Sequence, residues 1–159
     1  MWRKNNTQKI ASKLDEILTQ HRITPQAYHS RSFIGNHCHK YLQPKVYTHL
    51  TQTLVTQTKS CTRCPLLIDE SHRIAMVFNT LNHTFSNVHK AISHTNPIPE
   101  DSVANIQSDI NSYMTFFRHN FPNSTIPKMH ILEHHCIPHI QQYKLGLGLL
   151  GEQGTESCH

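Results

Sequence analysis

The sequence predicts an all-α fold: an irregular bundle of about six helices with a glycine-rich C-terminal tail. Three observations predict it. Apolar residues recur every three or four positions along most of the 159-residue chain, the period of a helix with one buried face. No stretch of six or more residues alternates apolar and polar as a half-buried strand would. The breaks between periodic stretches are short and rich in Pro, Asn and Ser, so helices adjacent in sequence should pack side by side.

Taken in order, Ile10, Leu14, Ile17 and Leu18 keep a helical period after a polar start at Asn6-Thr7. Thr24-Pro25 reads as an N-cap followed by proline at the first helical position. The segment it opens runs towards Leu42, and Pro44 ends it. Val46, Leu50 and Leu54 predict a short helix beyond, and Lys59 to Pro65 a connection. Ile74, Val77, Phe78, Leu81, Phe85, Val88 and Ile92 then hold the 3–4 spacing through a long amphipathic helix. Asn96-Pro97-Ile98-Pro99 is a linker. Glu100 and Asp101 fall in the first turn of the next helix, where carboxylates offset the helix dipole. Val103, Ile106, Ile110, Tyr113, Met114 and Phe117 line its face, and Asn120 to Ser124 ends it. A last helix starts near Ile126-Pro127 and ends near Tyr143-Lys144, with a kink expected at Pro138. The divisions expected are an N-terminal helix (1–24), a helical domain (25–145) and a looped, Gly-rich tail (146–159).

Composition narrows the function classes. Charged residues are 16% of the chain and apolar residues 36%, so Thr, Asn, Gln, Ser and His supply most of the polarity. The formal charge of +5 suits a polyanionic partner without demanding one, since no run of five basic residues occurs. Five cysteines (38, 61, 64, 136 and 158) form an odd set without framework spacing. The start Met-Trp-Arg-Lys-Asn-Asn lacks an apolar signal segment. No stretch approaches the roughly 18 apolar residues that span a bilayer. A nuclear or cytoplasmic, reducing compartment follows as the expectation. Asn-x-Thr/Ser triplets at Asn5, Asn82 and Asn123 then carry little weight.

Four groups of residues could carry chemistry. His130, His134 and His135 are the first. His130 and His134, four apart, share a helix face. His130 and His135 stand about 140° apart around a regular helix and converge if it is distorted or if a loop supplies one of them. The bland alternative is a polar face in a chain with fifteen histidines. Cys61-Thr-Arg-Cys64 is the second: two thiolates at this spacing are half of a tetrahedral zinc site, or simply two loop cysteines. His130-Ile-Leu-Glu133-His134 also matches the inverted zinc-protease motif, which needs a further acidic ligand well downstream. Last, Glu152 and Glu156 follow glycines with little packing duty, as a solvated tail would also have it.

Several blocks of the sequence carry a resemblance. Phe33-Ile34-Gly35-Asn36-His37-Cys38-His39-Lys40-Tyr41-Leu42, Asn120-Phe121-Pro122, Lys128 to His134, and Gly151-Glu152-Gln153-Gly154-Thr155-Glu156-Ser157-Cys158-His159 resemble transposon-encoded proteins of animal genomes. More distantly they resemble the catalytic region of the V(D)J recombinase and its Transib transposase relatives. The resemblance spans roughly residues 25–159. It implies a DDE-type enzyme with an RNase H-like core, in which two Asp and one Glu hold Mg²⁺ and a helical insertion precedes the Glu. It implies that Glu156, just before Ser157, is the metal-binding catalytic glutamate. It also implies that His130 and His135, with a CxxC such as Cys61/Cys64, bind a structural zinc. DNA is the implied partner, with a homodimer possible in the parent protein. Two departures stand. Neither catalytic aspartate has a counterpart in the chain, and Cys61-x-x-Cys64 follows the Gly-Asn block where the family's cysteines precede it. The expectation is therefore a fragment of a DNA transposase, inactive alone. The alternative is a non-catalytic helical module that binds DNA or protein, stabilised by zinc. A zinc hydrolase built on His130, Glu133 and His134 is a third class.

Overall fold

A computed structural model describes residues 2–24, 35–124 and 126–150. Among these residues there are seven α-helices, one short 3-10 turn and no strand. The helices are α1 (Trp2–Gln20), α2 (Gly35–Tyr41), α3 (Pro44–Cys61), α4 (Pro65–Ile92), α5 (Glu100–Asn120), α6 (Pro127–His134) and α7 (Cys136–Tyr143). The fold is all-α, as the apolar periodicity implies. The chain divides into two compact units, Met1–Asn82 and His83–His159, with the division inside α4. No described helix is long and apolar enough to cross a membrane.

In the first unit α1 and α2 both pack on α3. The end of α1 explains why a helix stops with no glycine in sight. Arg22 takes a left-handed conformation, φ 55°. The Ile23 N–H then donates to the Leu18 carbonyl at 2.8 Å and the Arg22 N–H to the Thr19 carbonyl at 2.9 Å, the paired bonds of a Schellman cap. Ile23 is driven completely out of solvent as a result. Pro44 opens α3 at its first position, with Gln43 extended before it. Proline there gives up an N–H that has no helical partner anyway. The helix begun by Val46, Leu50 and Leu54 is not short: it runs 18 residues to Cys61, and along it the Thr51, Thr58 and Ser60 hydroxyls donate to backbone carbonyls of the preceding turn. The expected connection at Lys59 to Pro65 shrinks to Thr62–Cys64.

Polar bonds register α4 within this unit. The Thr51 hydroxyl donates to Asn79 Oδ1 at 2.9 Å, and Asn82 Nδ2 donates to the Tyr41 hydroxyl at 3.0 Å. Both Thr51 and Asn82 are buried, so each bond removes the cost of an unsatisfied interior group. Burial also pushes the Tyr41 phenol up from its ordinary range, against the opposing pull of Asn82.

In the second unit α5, α6 and α7 pack against one another. Ile110 and Ile140 have no exposure, and Val103, Ile106, Tyr113, Met114, Phe117, Leu132, Cys136 and Ile137 join them in the core. A ladder of rings runs through Phe85, Tyr113, Phe117 and Phe121, with centroids 5.0, 6.1 and 5.3 Å apart. These are the separations of favourable aromatic pairs.

The single last helix expected from the sequence is two. Pro138 has no N–H for the His134 carbonyl, and its ring crowds that carbonyl. The chain yields at His135 (φ −115°, ψ −19°), which ends α6 and begins α7. Pro138 thus falls in the first turn of α7, where its missing N–H costs little. At the far end Lys144 adopts a left-handed conformation and its N–H closes on the Ile140 carbonyl at 2.8 Å.

The start of the tail is more ordered than a loop. Leu145 forms an isolated antiparallel bridge with Pro97, and the Ile98 N–H donates to the Lys144 carbonyl at 2.8 Å. Leu147–Leu150 is the 3-10 turn. Residues 151–159, which include Glu152 and Glu156, lie outside the described residues, as does most of the segment opened by Thr24-Pro25.

Candidate functional site

The helix break at His135 creates the corner where the predicted histidines meet. On α6, His130 and His134 lie one turn apart, with ring centroids separated by 4.7 Å. His135 would point about 140° away in an uninterrupted helix. Its non-helical backbone swings the ring back, to 5.3 Å from His130 and nearly perpendicular to it, at 71°. His130 is therefore the hub, with one neighbour on its own face and one delivered by the Pro138-induced break. All three are exposed, so their rings can reach a solvent-borne ligand.

Glu133 stands beside them with its carboxylate engaged. Arg118, in the last turn of α5, grips both oxygens, one of them at 2.6 Å, the planar two-pronged geometry that suits guanidinium and carboxylate. His134 Nε2 lies 3.4 Å from the same group. The Arg118 guanidinium holds the Glu133 carboxyl below the usual carboxylate range, with smaller help from His134 and His130. Arg118 also ties α5 to α6 here. In the zinc-protease reading Glu133 would have to activate a water; a carboxylate held low and occupied by arginine is a poor base. The Cys136 thiol, next to the corner in sequence, is buried, and burial pushes it up.

Two histidines make up half the ligand set of a tetrahedral zinc site. At Zn–N distances near 2.0–2.1 Å, two imidazoles on one ion place their centroids about 5 Å apart, close to both separations seen here. Among the described residues no group of three or more His, Cys, Asp or Glu is arranged to hold one ion. Cys61, the last residue of α3, and Cys64, just before α4, belong to the first unit, whereas His130 and His135 belong to the second. Both thiols are free, Cys64 exposed and Cys61 half-buried. The predicted glutamate, Glu156, falls outside the described residues.

Two clefts on α5, of about 730 and 350 Å³, have none of His130, His134 and His135 in their lining. The larger is lined by neutral polar groups such as Gln107, Asn111 and Ser112, with no paired acid and base for catalysis.

What sequence reasoning missed is the Arg118–Glu133 clamp. The one available signal was a basic residue in the last turn of α5, ordinary for any helix C-terminus. Comparison with protein-family models, curated proteins and solved structures returned no match.

Proposed function

We propose that this chain is the helical C-terminal part of a DDE-type DNA transposase. In the parent enzyme Glu156 would complete a three-carboxylate cage for Mg²⁺. That cage would serve phosphodiester hydrolysis and strand transfer, in which two ions activate the attacking oxygen and stabilise the leaving one. The observation that carries the reading is the convergence of His130 and His135. Histidines five apart point about 140° away from each other around a regular helix, and here α6 ends at His134 so that His135 stands at the break, 5.3 Å from His130. The resemblance assigns a structural zinc to that spacing. His130 and His135, or His130 and His134, would hold the ion and so pin the end of α6 to the start of α7. Cys61 and Cys64 are the thiolate ligands that the resemblance suggests. Arg118 and Glu133 brace the corner against α5.

One glutamate of the three acids holds Mg²⁺ too weakly for turnover, so the 159-residue chain is expected to be inactive alone. Purified without added metal, it should retain close to one zinc per chain and leave supercoiled plasmid intact in Mg²⁺. Less than about 0.2 zinc per chain would remove the structural-zinc assignment. Nicking by the chain, abolished by Glu156→Ala, would overturn the view that it lacks the rest of the site.

A second reading, a non-catalytic helical module binding DNA or protein, draws on a different feature. Leu66, Leu67, Met76 and Phe78 of α4 are exposed, Leu66 at 79%, on a chain of formal charge +5. Salt-dependent binding of duplex DNA by the 159-residue chain, without any cleavage by longer gene products, would favour it.

A further inference from the structure

We infer that the exposed stripe of α3, with the ends of α1 and α2 that adjoin its start, is a docking surface for the phosphate backbone of duplex DNA. The inference rests on the reading that this chain meets DNA, and it assigns where; it needs neither cleavage nor a metal.

The charge pattern sets this surface apart. No Asp or Glu lies between Glu16 and Asp69. On α3, Lys45, His49, Gln52, Thr56 and Lys59 are all exposed. Alternating steps of four and three residues align them along one face of the helix, away from the buried Val46, Tyr47 and Thr51. Arg63, just past the helix, is exposed as well. At the start of the stripe the other two helices add their own cations. Lys40, in the last turn of α2, lays its ammonium 3.3 Å from the Arg22 carbonyl at the end of α1. The Gln43 N–H closes on the Lys40 carbonyl at 3.2 Å and the Val46 N–H on the Gln43 carbonyl at 2.8 Å, so the end of α2 turns directly into α3. The His49 ring meets His21 edge-on, with centroids 5.8 Å apart. All of these residues belong to the first unit.

A merely solvated helix face mixes signs, with each cation near an acid one turn away. Lys13 and Arg73, on α1 and α4, follow that habit: they pair with Glu16 and Glu70 at 2.6 and 2.7 Å. Arg22, Lys40, Lys45, Lys59 and Arg63 have no carboxylate partner among the described residues. Nor does the surface suit a protein partner, whose interface needs aromatic or apolar anchors. Among the described residues from Ile17 to Pro65 no large apolar side chain is exposed. A phosphate backbone takes what is present, fixed cations and the neutral donors of His, Gln and Thr. Lys45 and Lys59, fourteen residues apart, stand about 21 Å from each other along the helix. Over that length of duplex one strand presents about six phosphates.

The probe is a fluorescein-labelled DNA duplex of about 20 base pairs, titrated with the 159-residue chain at about 50 to 200 mM NaCl without divalent metal and followed by anisotropy. Binding with Kd below about 100 µM at the lowest salt is expected, and five cation contacts should give a slope of log Kobs against log salt of about −4.5. Lys45→Gln/Lys59→Gln keeps side-chain length and helix propensity. It should weaken binding at least about tenfold at the lowest salt and make the slope shallower by about 1.8. Lys90→Gln/Lys128→Gln removes the same charge from exposed positions of the second unit and should leave the slope within about 0.5 of the parent's. Equal weakening by the two double variants overturns this surface while leaving the DNA reading in place. Absence of binding by the parent chain overturns both. Lysine acetylation of the unaltered chain gives a second readout that no variant's folding can disturb. DNA should protect Lys40, Lys45 and Lys59 more than Lys90 and Lys128, and uniform protection overturns the assignment.

Discussion

Replacing Ile140 by Ala probes whether the helix that follows the histidine corner is packed as described. Ile140 lies in the middle of α7 with no solvent exposure, and α7 packs against both α5 and α6. The substitution deletes three carbons. At roughly 0.8 kcal/mol per buried methylene the transfer loss is about 2.4 kcal/mol. The cavity left behind raises the total to about 3–4 kcal/mol, within the range measured for such truncations. Against a native-state stability of about 5–15 kcal/mol this is a large fraction. Urea titration followed by far-ultraviolet circular dichroism is the assay. With a slope of about 1–3 kcal/mol per molar, the midpoint should fall by about 1–4 M. Gln142→Ala, two residues along on the exposed side of the same helix, should change stability by less than about 0.5 kcal/mol. If the two variants behave alike, α7 is not buried along Ile140 and the geometry of the corner fails with it.

Three further perturbations test separate parts. Burial raises the Tyr113 phenol to about 12 from its ordinary 10.0, so between those values the folded state binds the extra proton and stability falls as pH rises. About 2–3 kcal/mol is lost over that window, and Tyr113→Phe should flatten most of the alkaline slope in pH-dependent denaturation. Glu133 is held low by Arg118, so its contribution is present above the ordinary carboxylate range and disappears as pH falls through the lowered folded value. Glu133→Gln should lose that contribution at neutral pH and show a shallower acid transition; an unchanged acid profile would mean the clamp does not form in solution. Pro138→Ala restores an N–H to the His134 carbonyl and should let α6 and α7 run on as one helix, removing nuclear Overhauser contacts between the His130 and His135 rings. Persistence of those contacts would show that proline is not the cause of the break.

The long amphipathic stretches were the most legible part of the chain. In α5 each of the six expected face residues, from Val103 to Phe117, is buried, because a 3–4 period over about four turns leaves one way to hide apolar surface. Prolines were legible too: Pro44, Pro127 and Pro138 each act through a missing N–H and a fixed φ, which are local properties. The α1 terminus was not, since a left-handed Arg22 has no compositional mark. Nor was the Arg118–Glu133 pair, which joins residues fifteen apart through the packing of α5 on α6. Gly146 and Gly148 read as a loose tail because glycine signals freedom in a sequence; only the backbone of Ile92 to His94 shows that it serves close contact. The histidine corner was half legible. Spacing singled out His130 and His134 as sharing a face, while the position of the break, at His135, decided the third ring.

The central claim is that Glu156 is one acid of a metal-holding set whose other members lie in a longer protein. It is tested most directly by expressing the longest reading frame that contains this chain and measuring Mg²⁺-dependent cleavage of supercoiled plasmid. The predicted result is cleavage that Glu156→Gln abolishes while zinc content and helicity stay unchanged. Cleavage indifferent to Glu156→Gln, or a longer protein that binds DNA and never cuts it, would contradict the claim.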